Sequence, residues 1–387
     1  MSTIHKLKDC CTIIAGQSPE SKYYNTNGVG IPFFQGKADF GALYPNIRTY
    51  CSQPTKIAEK DDILLSVRAP VGPTNLSPGK VCIGRGLTAI RPGSSICLKY
   101  LLYFFRYYEA QLRKSGTGTT FKAITQNVIK NIEVPVPSLD EQERTVSKIE
   151  ELFSKLDASV AELQTAKEKL KVYRQAVLKE AFDSVQANSK RVTIKSVCET
   201  IKVGIVIKPT QYYVEQGGVF AFRNANVRRN YIEDKDWAMI SQEGHQKNLK
   251  SQVHIGDVLI ARSGVNLGMA ATVPQKYDGY NAIDVVIAVP KKEFILSQYL
   301  AQYTNSPYGL EIVRKNQHGA AQGHLNVKEY GNLPIFLPNI PEQYSLLKKI
   351  ESRLSVCDNI EQTIDTSLQQ AEALRQSILK QAFEGEM

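Results

Sequence analysis

The sequence predicts an α/β (α+β) protein in which two similar globular domains are separated by two long antiparallel helices that form a coiled coil. Three observations predict this fold class. Residues 131–183 return 201 positions later, with 16 of 53 aligned residues identical. Both copies carry apolar residues at heptad spacing, and short β-like runs precede each copy. A fixed internal period indicates a duplication, so we expect a pseudo-two-fold internal repeat.

The repeat divides the 387 residues into four predicted parts. These are a first globular domain at residues 1–138, a long central helix at 139–184, a second globular domain at 185–339 and a long C-terminal helix at 340–387. Residues 184–191 are polar and predict a hinge between the two halves.

Each long helix is predicted to begin at a capping box, which Ser138 forms with Glu141 and Asn339 forms with Glu342. Roughly 45 residues without an interior Gly or Pro would span about 67 Å, which is too long for the core of a small domain. Apolar spacing near 3.5 residues favours a supercoiled helix pair, although two separate core helices are the alternative. The predicted seam consists of Ile149 and Ile350, Phe153 and Leu354, Leu156 and Cys357, Leu163 and Ile364, Leu170 and Ala371, Tyr173 and Leu374, and Val177 and Ile378.

The first globular domain alternates β-like runs with turn residues, at 31–34, 62–67, 80–83 and 87–90. One amphipathic helix is predicted at 98–114. In the second domain, residues 257–262 resemble the run at 62–67, and residues 298–313 resemble the helix. Residues 115–122 and 317–324 are small, predicted to be flexible, and rich in hydrogen-bond donors. The two domains are therefore expected to share a framework but to differ in their polar side chains.

Charge is concentrated in the globular domains. The first domain carries a net charge of +9 and the second +6, whereas the two helices carry −2 and −3. Basic domains are expected of a nucleic-acid binder, because neutralising phosphates releases counterions. Ordinary surface lysines are the alternative explanation.

The remaining composition excludes several classes of protein. The 42% apolar content is ordinary for a globular protein, and neither a signal peptide nor an apolar run of transmembrane length is present, which predicts a cytoplasmic protein without a membrane partner. The seven cysteines include no C-x-x-C pair, so we expect reduced thiols and no zinc site. No metal-binding cluster is predicted among the five scattered histidines.

Two glycine-rich segments do not fit nucleotide-binding motifs. The segment Gly84-Arg-Gly86-Leu-Thr-Ala89 matches G-x-G-x-x-A, but a β-like run follows where the dinucleotide fingerprint requires a helix. Six residues separate Gly72 from Gly79, where a P-loop needs four. No catalytic residues are predicted. A self-contained DNA-modifying enzyme with degenerate motifs and a non-specific coiled-coil scaffold remain as alternatives.

The order of domain, long helix, domain and long helix resembles the DNA specificity (S) subunits of type I restriction-modification systems over essentially the whole chain. The most specific matches are Gly118-Thr-Thr-Phe-Lys-Ala-Ile124, Val134-Pro-Val-Pro-Ser-Leu-Asp-Glu-Gln142, and the paired Leu178-Lys-Glu-Ala-Phe182 and Leu379-Lys-Gln-Ala-Phe383. The segments Asp61-Asp-Ile-Leu-Leu-Ser66 and Gly84-Arg-Gly86 are also similar to patterns of the family's first domain. The second domain departs from the pattern with Gly319-Ala-Ala-Gln-Gly-His324.

This resemblance implies two target-recognition domains in a non-catalytic subunit that binds double-stranded DNA. It also implies two adenine N6-methyltransferase subunits and two motor-nuclease subunits as partners. The subunit itself would hold no cofactor, because S-adenosylmethionine, ATP and Mg would bind to those partners.

Reading a duplex requires polar side chains at base edges, together with Lys and Arg at phosphates. The candidates for DNA binding in the first domain are Gln17, Lys22, Tyr23, Gln35, Lys37, Arg68, Arg85, Thr119, Thr120 and Lys122. Those in the second domain are Lys208, Tyr212, Tyr213, Arg223, Asn224, Asn226, Arg228, Arg229, Arg262, Asn266, Gln317 and Gln322.

The repeated polar and terminal positions of the helices are predicted to bind the protein partners, because a seam that pairs the helices would leave these positions available twice. The candidates are Glu141, Gln142, Arg174, Gln175, Phe182, Glu342, Gln343, Arg375, Gln376 and Phe383. The expected target has two different half-sites, whose centres lie about one DNA turn apart, roughly 10 to 10.5 base pairs. The helix pair is expected to set that distance.

Overall fold

The computed structural model describes residues 3–115, 123–315 and 324–385, with the side chains of 312–315 excepted. The chain forms two compact units, one of Met1–Gln164 with Asp365–Met387 and one of Thr165–Ile364. Across the described ranges, no helix has both the length and the apolar character needed to cross a membrane.

The first unit contains two sheets, a pair of short strands and one long amphipathic helix. Its elements, followed by the first long helix, are β1 (Thr3–Lys6), α1 (Leu7–Cys10), β2 (Cys11–Ala15), β3 (Tyr24–Asn25), β4 (Ile31–Phe34), β5 (Tyr50–Cys51), β6 (Ile57–Ala58), β7 (Ile63–Ser66), β8 (Thr74–Leu76), β9 (Val81–Ile83), β10 (Leu87–Pro92), α2 (Leu98–Ser115), α3 (Gln126–Lys130), β11 (Glu133–Val136) and α4 (Leu139–Gln186). The predicted strands and the predicted helix are all present.

Strand β7 of the first unit is buried on both of its faces. Strands β2, β10, β7 and β8 form an antiparallel sheet in that order, and β3, β5, β4, β9 and β6 form a second sheet in which β4 and β9 are parallel. In β7, Ile63 and Leu65 pack in a cluster with residues of α2, whereas Leu64 packs with Phe34 and Ile83. This burial on both faces explains why β7 reads as a continuous apolar run.

The second unit repeats this architecture. Its elements, followed by the second long helix, are β12 (Lys190–Thr193), α5 (Ile194–Val197), β13 (Cys198–Val203), β14 (Val219–Phe222), β15 (Ala238–Ile240), α6 (Gln242–Lys247), β16 (Val258–Ala261), β17 (Ala270–Thr272), β18 (Asn281–Ala282), β19 (Val285–Pro290), α7 (Ser297–Asn305), α8 (Pro307–Lys315), α9 (Val327–Gly331), β20 (Pro334–Leu337) and α10 (Ile340–Glu384). The sheet β13-β19-β16-β17 corresponds to β2-β10-β7-β8.

Two details of the second unit differ from the sequence prediction. The helix predicted at residues 298–313 is broken into α7 and α8 at Ser306, because Pro307 disfavours the helical conformation of the residue before it. Helix α4 continues to Gln186 and β12 begins at Lys190, so the connection is shorter than the polar hinge predicted at residues 184–191.

Helices α4 and α10 run antiparallel within each unit. In the second unit, Arg174 pairs with Asp358, and Glu180, further along α4, pairs with Arg353, earlier in α10. In the first unit, Arg375 pairs with Asp157. Both capping boxes are present, since the backbone N–H of Ser138 donates to Glu141 and that of Asn339 donates to Glu342, each over 3.0 Å.

Most of the predicted seam is buried. The buried members are Ile149, Phe153, Leu170 and Val177 of α4, and Ile350, Cys357, Ile364, Ala371 and Ile378 of α10. Tyr173 and Leu374 are exceptions, with 47% and 51% of their surfaces exposed. These two positions, which are equivalent in the repeat, are therefore surface positions and were wrongly included in the seam.

Candidate nucleic-acid interface

Equivalent backbone hydrogen bonds show that the two domains share one framework. The N–H of Gly16 donates to the carbonyl of Leu87 over 3.0 Å, and the N–H of Gly204 donates to that of Val285 over 2.9 Å. The parallel strand pair extends through Gly84 N–H to Phe34 O in the first domain and through Ile283 N–H to Phe222 O in the second, both over 2.8 Å. The connections between these anchors therefore occupy equivalent places in both domains, although the first connection has two residues, Arg85 and Gly86, and the second has one, Asp284.

In the first domain, four connections converge at one sheet edge. Ser18 accepts a 3.2 Å bond from the backbone N–H of Arg85, and Val67 N–H donates to Gly86 O over 2.9 Å. A Cβ on Gly86 would lie 2.2 Å from the carbonyl oxygen of Gln35, so this close approach requires glycine. The edge therefore brings the segments around Ser18, Gln35, Val67 and Arg85 together.

Several first-domain candidates lie at this edge. Gln17, Gln35, Arg68 and Arg85 are exposed there, and Lys37 is exposed in the turn after β4. Within the ranges that the structure describes, neither of the two arginines nor Lys37 forms an ion pair. Each of these cations is therefore available to an anionic ligand.

The other first-domain candidates are placed differently. Lys22 pairs with Glu20 at 2.6 Å and lies 4.9 Å from the ring centroid of Tyr23, which is half-buried. Burial raises the pKa of the neighbouring Tyr24. Thr119, Thr120 and Lys122 lie outside the described residues, although the segment that contains them ends at Ala123, which bridges to Arg68.

The equivalent edge of the second domain carries a closed polar network around Asp284. Its carboxylate accepts hydrogen bonds from the Asn224 amide and the Ser263 hydroxyl, both over 3.2 Å, and lies 3.3 Å from Nη1 of Arg262. Asn224 in turn accepts a 2.8 Å bond from the backbone N–H of Arg262. Asp284 has a left-handed φ of 53°, which is uncommon for a residue with a Cβ.

Two second-domain candidates are corrected by their burial. Asn226 is fully buried and donates to the carbonyls of Glu233 and Lys235 over 3.2 and 2.8 Å. Asn266 is 4% exposed and donates to Asn224 O over 2.9 Å. Both amides hold loops together inside the domain, so they cannot reach a base edge in this conformation.

The remaining second-domain candidates are scattered. Lys208, Tyr213 and Arg229 are exposed, and Tyr212 is half-buried. Arg223 donates to the carbonyl of Asp236, and Arg228 lies 3.8 Å from Glu233. Gln317 and Gln322 lie outside the described residues.

Arg229 lies in a different part of the second unit from Asp284. It lines a cleft of about 1810 Å³ together with residues of α4 and α10, among them Gln175 and Tyr344. Burial lowers the pKa of the Arg229 guanidinium. Arg229 therefore faces the cleft beside the long helices and is not part of the network around Asp284.

The predicted partner-binding residues are mostly engaged inside the chain. Gln142 and Gln343 are fully buried, and each accepts a bond from one loop N–H and donates to two carbonyls. Phe182 is fully buried against Tyr299 and Tyr303. These three residues stabilise their own domains, which corrects their assignment as exposed contacts.

The other predicted partner-binding positions differ in exposure. Arg174 is paired with Asp358 and Glu361, Arg375 is paired with Asp157, and Phe383 packs on α2. Glu141 and Glu342 serve the capping boxes, and Gln175 is half-buried. Gln376 is exposed on α10. Tyr173 and Leu374 are half-exposed positions that heptad spacing alone had placed in the seam, and the Tyr173 ring lies 5.7 Å from the Arg353 guanidinium of α10.

Asp284 is not among the residues predicted to bind DNA, because the net positive charge of the domain led to the expectation of a basic interface. The predicted DNA-binding residues include no acidic side chain, although Asp284 directly precedes a run of apolar residues in the sequence. Among the described residues, no three His, Cys, Asp or Glu side chains form a group able to hold a metal ion.

Comparison with known proteins gives consistent similarities. Residues 2–169 match the family model described as Type I restriction modification DNA specificity domain. The putative type I restriction enzyme MjaX specificity subunit of Methanocaldococcus jannaschii is 40% identical over 41% of this chain and 38% of that protein. The type I restriction enzyme EcoBI specificity subunit of Escherichia coli is 25% identical over 75% of this chain and 66% of that protein. The solved HsdS subunit from Thermoanaerobacter tengcongensis is 46% identical over 40% of this chain and 38% of that chain, with a TM-score of 0.38.

Two domains built on one framework, each followed by a long helix, define an internally duplicated chain. The family match in the first half, together with the two curated relatives, makes the chain similar to the specificity subunits of type I restriction-modification systems, the family that its sequence resembles. The chain spans 38% of the first relative and 66% of the second, which is less than two thirds of either.

Proposed function

We propose that this chain reads DNA sequence for a type I restriction-modification complex. It recognises a bipartite target and recruits two methyltransferase subunits and two motor-nuclease subunits. The observation that carries the proposal is the shared domain framework with different polar side chains at the same edge. Two such domains on one chain are suited to reading two different half-sites.

The side chains at the first-domain edge support contact with a duplex. Arg68, Arg85 and Lys37 are exposed cations, which suits them to phosphates, and Gln17 and Gln35 can both donate to and accept from base edges. The corresponding second-domain edge has a different set of groups around Asp284. Two unlike half-sites require different side chains at the equivalent edges of the two domains.

The proposal assigns no catalysis to this chain. S-adenosylmethionine, ATP and Mg belong to the partner subunits, so the purified chain should neither methylate nor cleave DNA. Methyl transfer or S-adenosylmethionine binding by the isolated chain, above that of a mock purification, would instead favour a self-contained enzyme.

The main experiment maps methylated adenines in cells that express the chain with its methyltransferase subunit. The expected result is a target of two short specific sequences separated by a fixed number of unread base pairs. Replacement of the side chains at the first-domain edge, in an Arg68→Ala and Arg85→Ala double variant, should change or weaken only one half-site. Methylation of one continuous sequence, or binding without sequence preference, would contradict the proposal.

Partner recruitment is assigned to the outward-facing positions Tyr173 and Leu374. They are equivalent in the repeat, one in each long helix, and each exposes about half of its surface. Two exposed positions that are equivalent in the repeat suit two copies of one partner.

Charge substitutions test this assignment without removing buried contacts. Tyr173→Glu alone and Leu374→Glu alone should each reduce the methyltransferase copies per chain from two to one, as measured by native mass spectrometry. The double variant should bind neither copy. Ile360→Glu is the matched control, because Ile360 is 45% exposed but its repeat equivalent, Ser159, is polar. Two bound copies in the double variant would show that this surface is not the contact.

A further inference from the structure

The two domains present opposite charges at one equivalent place. Arg85 follows Gly84, whose N–H donates to Phe34, and Asp284 follows Ile283, whose N–H donates to Phe222. Arg85 lies two residues before β10 and Asp284 lies one residue before β19, so both are in the connection that leads into the long central strand of their sheet. A cation and an anion cannot bind the same group, so this place has a different ligand in each domain.

We propose that Asp284 is a base-reading residue of the second domain and accepts a hydrogen bond from the N4 amino group of a cytosine. This inference rests on the proposed function and deepens it. A carboxylate only accepts hydrogen bonds and is repelled by phosphates, so a base amino group is the favourable DNA ligand for it. Cytosine fits better than adenine, because the adenine N7 acceptor beside N6 would face the carboxylate.

Of the two charged groups in this network, the Asp284 carboxylate is the more exposed to solvent. The side chain of Asp284 is 34% exposed, whereas that of Arg262 is 17% exposed. Arg262 is therefore the more buried member of the pair, and its guanidinium offsets the charge of the carboxylate. This offset lowers the electrostatic cost of bringing an anion near the DNA backbone.

The carboxylate also retains capacity for one more donor. Asn224 and Ser263 both donate to Oδ2, and Arg262 lies nearest to Oδ1. A carboxylate offers about four acceptor sites, so these three partners leave about one site, which is on Oδ1. The three partners fix the rotamer in advance, which reduces the entropy that binding would cost.

The test compares base preferences of the assembled methyltransferase complex on a randomised DNA library, with wild type, Asp284→Ala and Asp284→Asn. Wild type should require cytosine at one position of the second half-site. Asp284→Ala should reduce discrimination at that position at least tenfold and leave the other positions unchanged. Asp284→Asn, which keeps the side-chain shape if the alanine variant misfolds, should move the preference towards adenine, because Asn pairs with adenine N6 and N7.

Asn266→Ala is the matched structural control. Asn266 supports the same loop but is buried, so its removal should lower stability or overall affinity without changing any base preference. Unchanged preferences in Asp284→Asn, or an equal loss of affinity for all sequences in both aspartate variants, would overturn the inference. Wild type without a defined second half-site would contradict the proposed function itself.

Discussion

The ring of Phe383, near the end of α10, packs edge-on against Tyr100 of α2, with the centroids 5.1 Å apart. The repeat equivalent, Phe182 of α4, packs in the same way against Tyr299 of α7, at 5.4 Å. Each long helix therefore ends as part of a domain core. In the first unit, that core combines the beginning of the chain with its end.

Loss of the Phe182 ring should destabilise the second unit. Phe182 is fully buried, so we expect Phe182→Ala to lower the free energy of unfolding by about 3–5 kcal/mol. Trp237, the single tryptophan of the chain, lies in the second unit and reports its unfolding by fluorescence in urea. Val172→Ala, on the same helix at a position that is 71% exposed, should cost no more than about 0.5 kcal/mol. Equal midpoints for the two variants would show that Phe182 does not contribute to the core.

The buried glutamines should act as internal links rather than as partner contacts. Gln343 accepts from Leu296 N–H over 2.9 Å and donates to the carbonyls of Phe294 and Pro338. Gln343→Ala leaves these groups unsatisfied, so it should cost about 1–3 kcal/mol in the same assay. Lys349→Ala, at an exposed position of α10, is the control. Loss of partner binding by Gln343→Ala at full stability would restore the surface assignment.

Acid should weaken a side-chain link between α4 and α8. Lys179 and the Tyr308 hydroxyl both donate to Asp183, and these bonds hold the pKa of the Asp183 carboxyl below its usual value, Lys179 contributing most. A depressed acid pKa adds stability above the unfolded value, about pH 4, and this stability is lost as the pH falls through the folded value. Asp183→Asn should therefore flatten the loss of stability on acidification below about pH 4. Parallel wild-type and variant curves in urea at successive pH values would contradict this.

Local sequence patterns predicted much of the secondary structure, whereas tertiary contacts determine which polar side chains are exposed. The capping boxes at Ser138 and Asn339 involve residues three positions apart, so the sequence contains both partners. By contrast, Gln142 is buried because its amide meets Ser95 and Cys97, which lie far away in sequence. Asn226 is buried because the loop that follows it folds back and presents the carbonyls of Glu233 and Lys235 to its amide, which no sequence period predicts.

Charge alone also could not identify the reading groups of the second domain. The net charge of +6 on this domain predicted Lys and Arg as the DNA ligands. At the equivalent edge, however, the more exposed member of the Arg262–Asp284 ion pair is the carboxylate. Tertiary packing decides which partner of an ion pair is the more exposed. The periodicity of the sequence does not encode that packing. Backbone hydrogen bonds were needed to show that Asp284 and Arg85 lie in equivalent connections of the two domains.

The spacing between half-sites should depend on the length of the helix pair. Seven residues inserted after Ala161 and after Gln362 keep the heptad register and add about 10 Å to each helix. At roughly 3.4 Å per base pair, this length corresponds to at most about three additional spacer pairs. Rotation around the DNA axis makes the tolerated change smaller, or abolishes binding, because both domains must meet the same face of the duplex.

The half-site sequences themselves should not change in the insertion variant, because the domain edges that read them are untouched. Sequencing of methylated adenines in cells that carry the variant with its methyltransferase subunit measures both quantities at once. Insertion of seven residues after Ala161 alone is the control, because one lengthened helix disrupts the antiparallel pairing and should abolish methylation. An altered half-site with an unchanged spacer in the double insertion would show that the helices take part in base reading and do not set the distance.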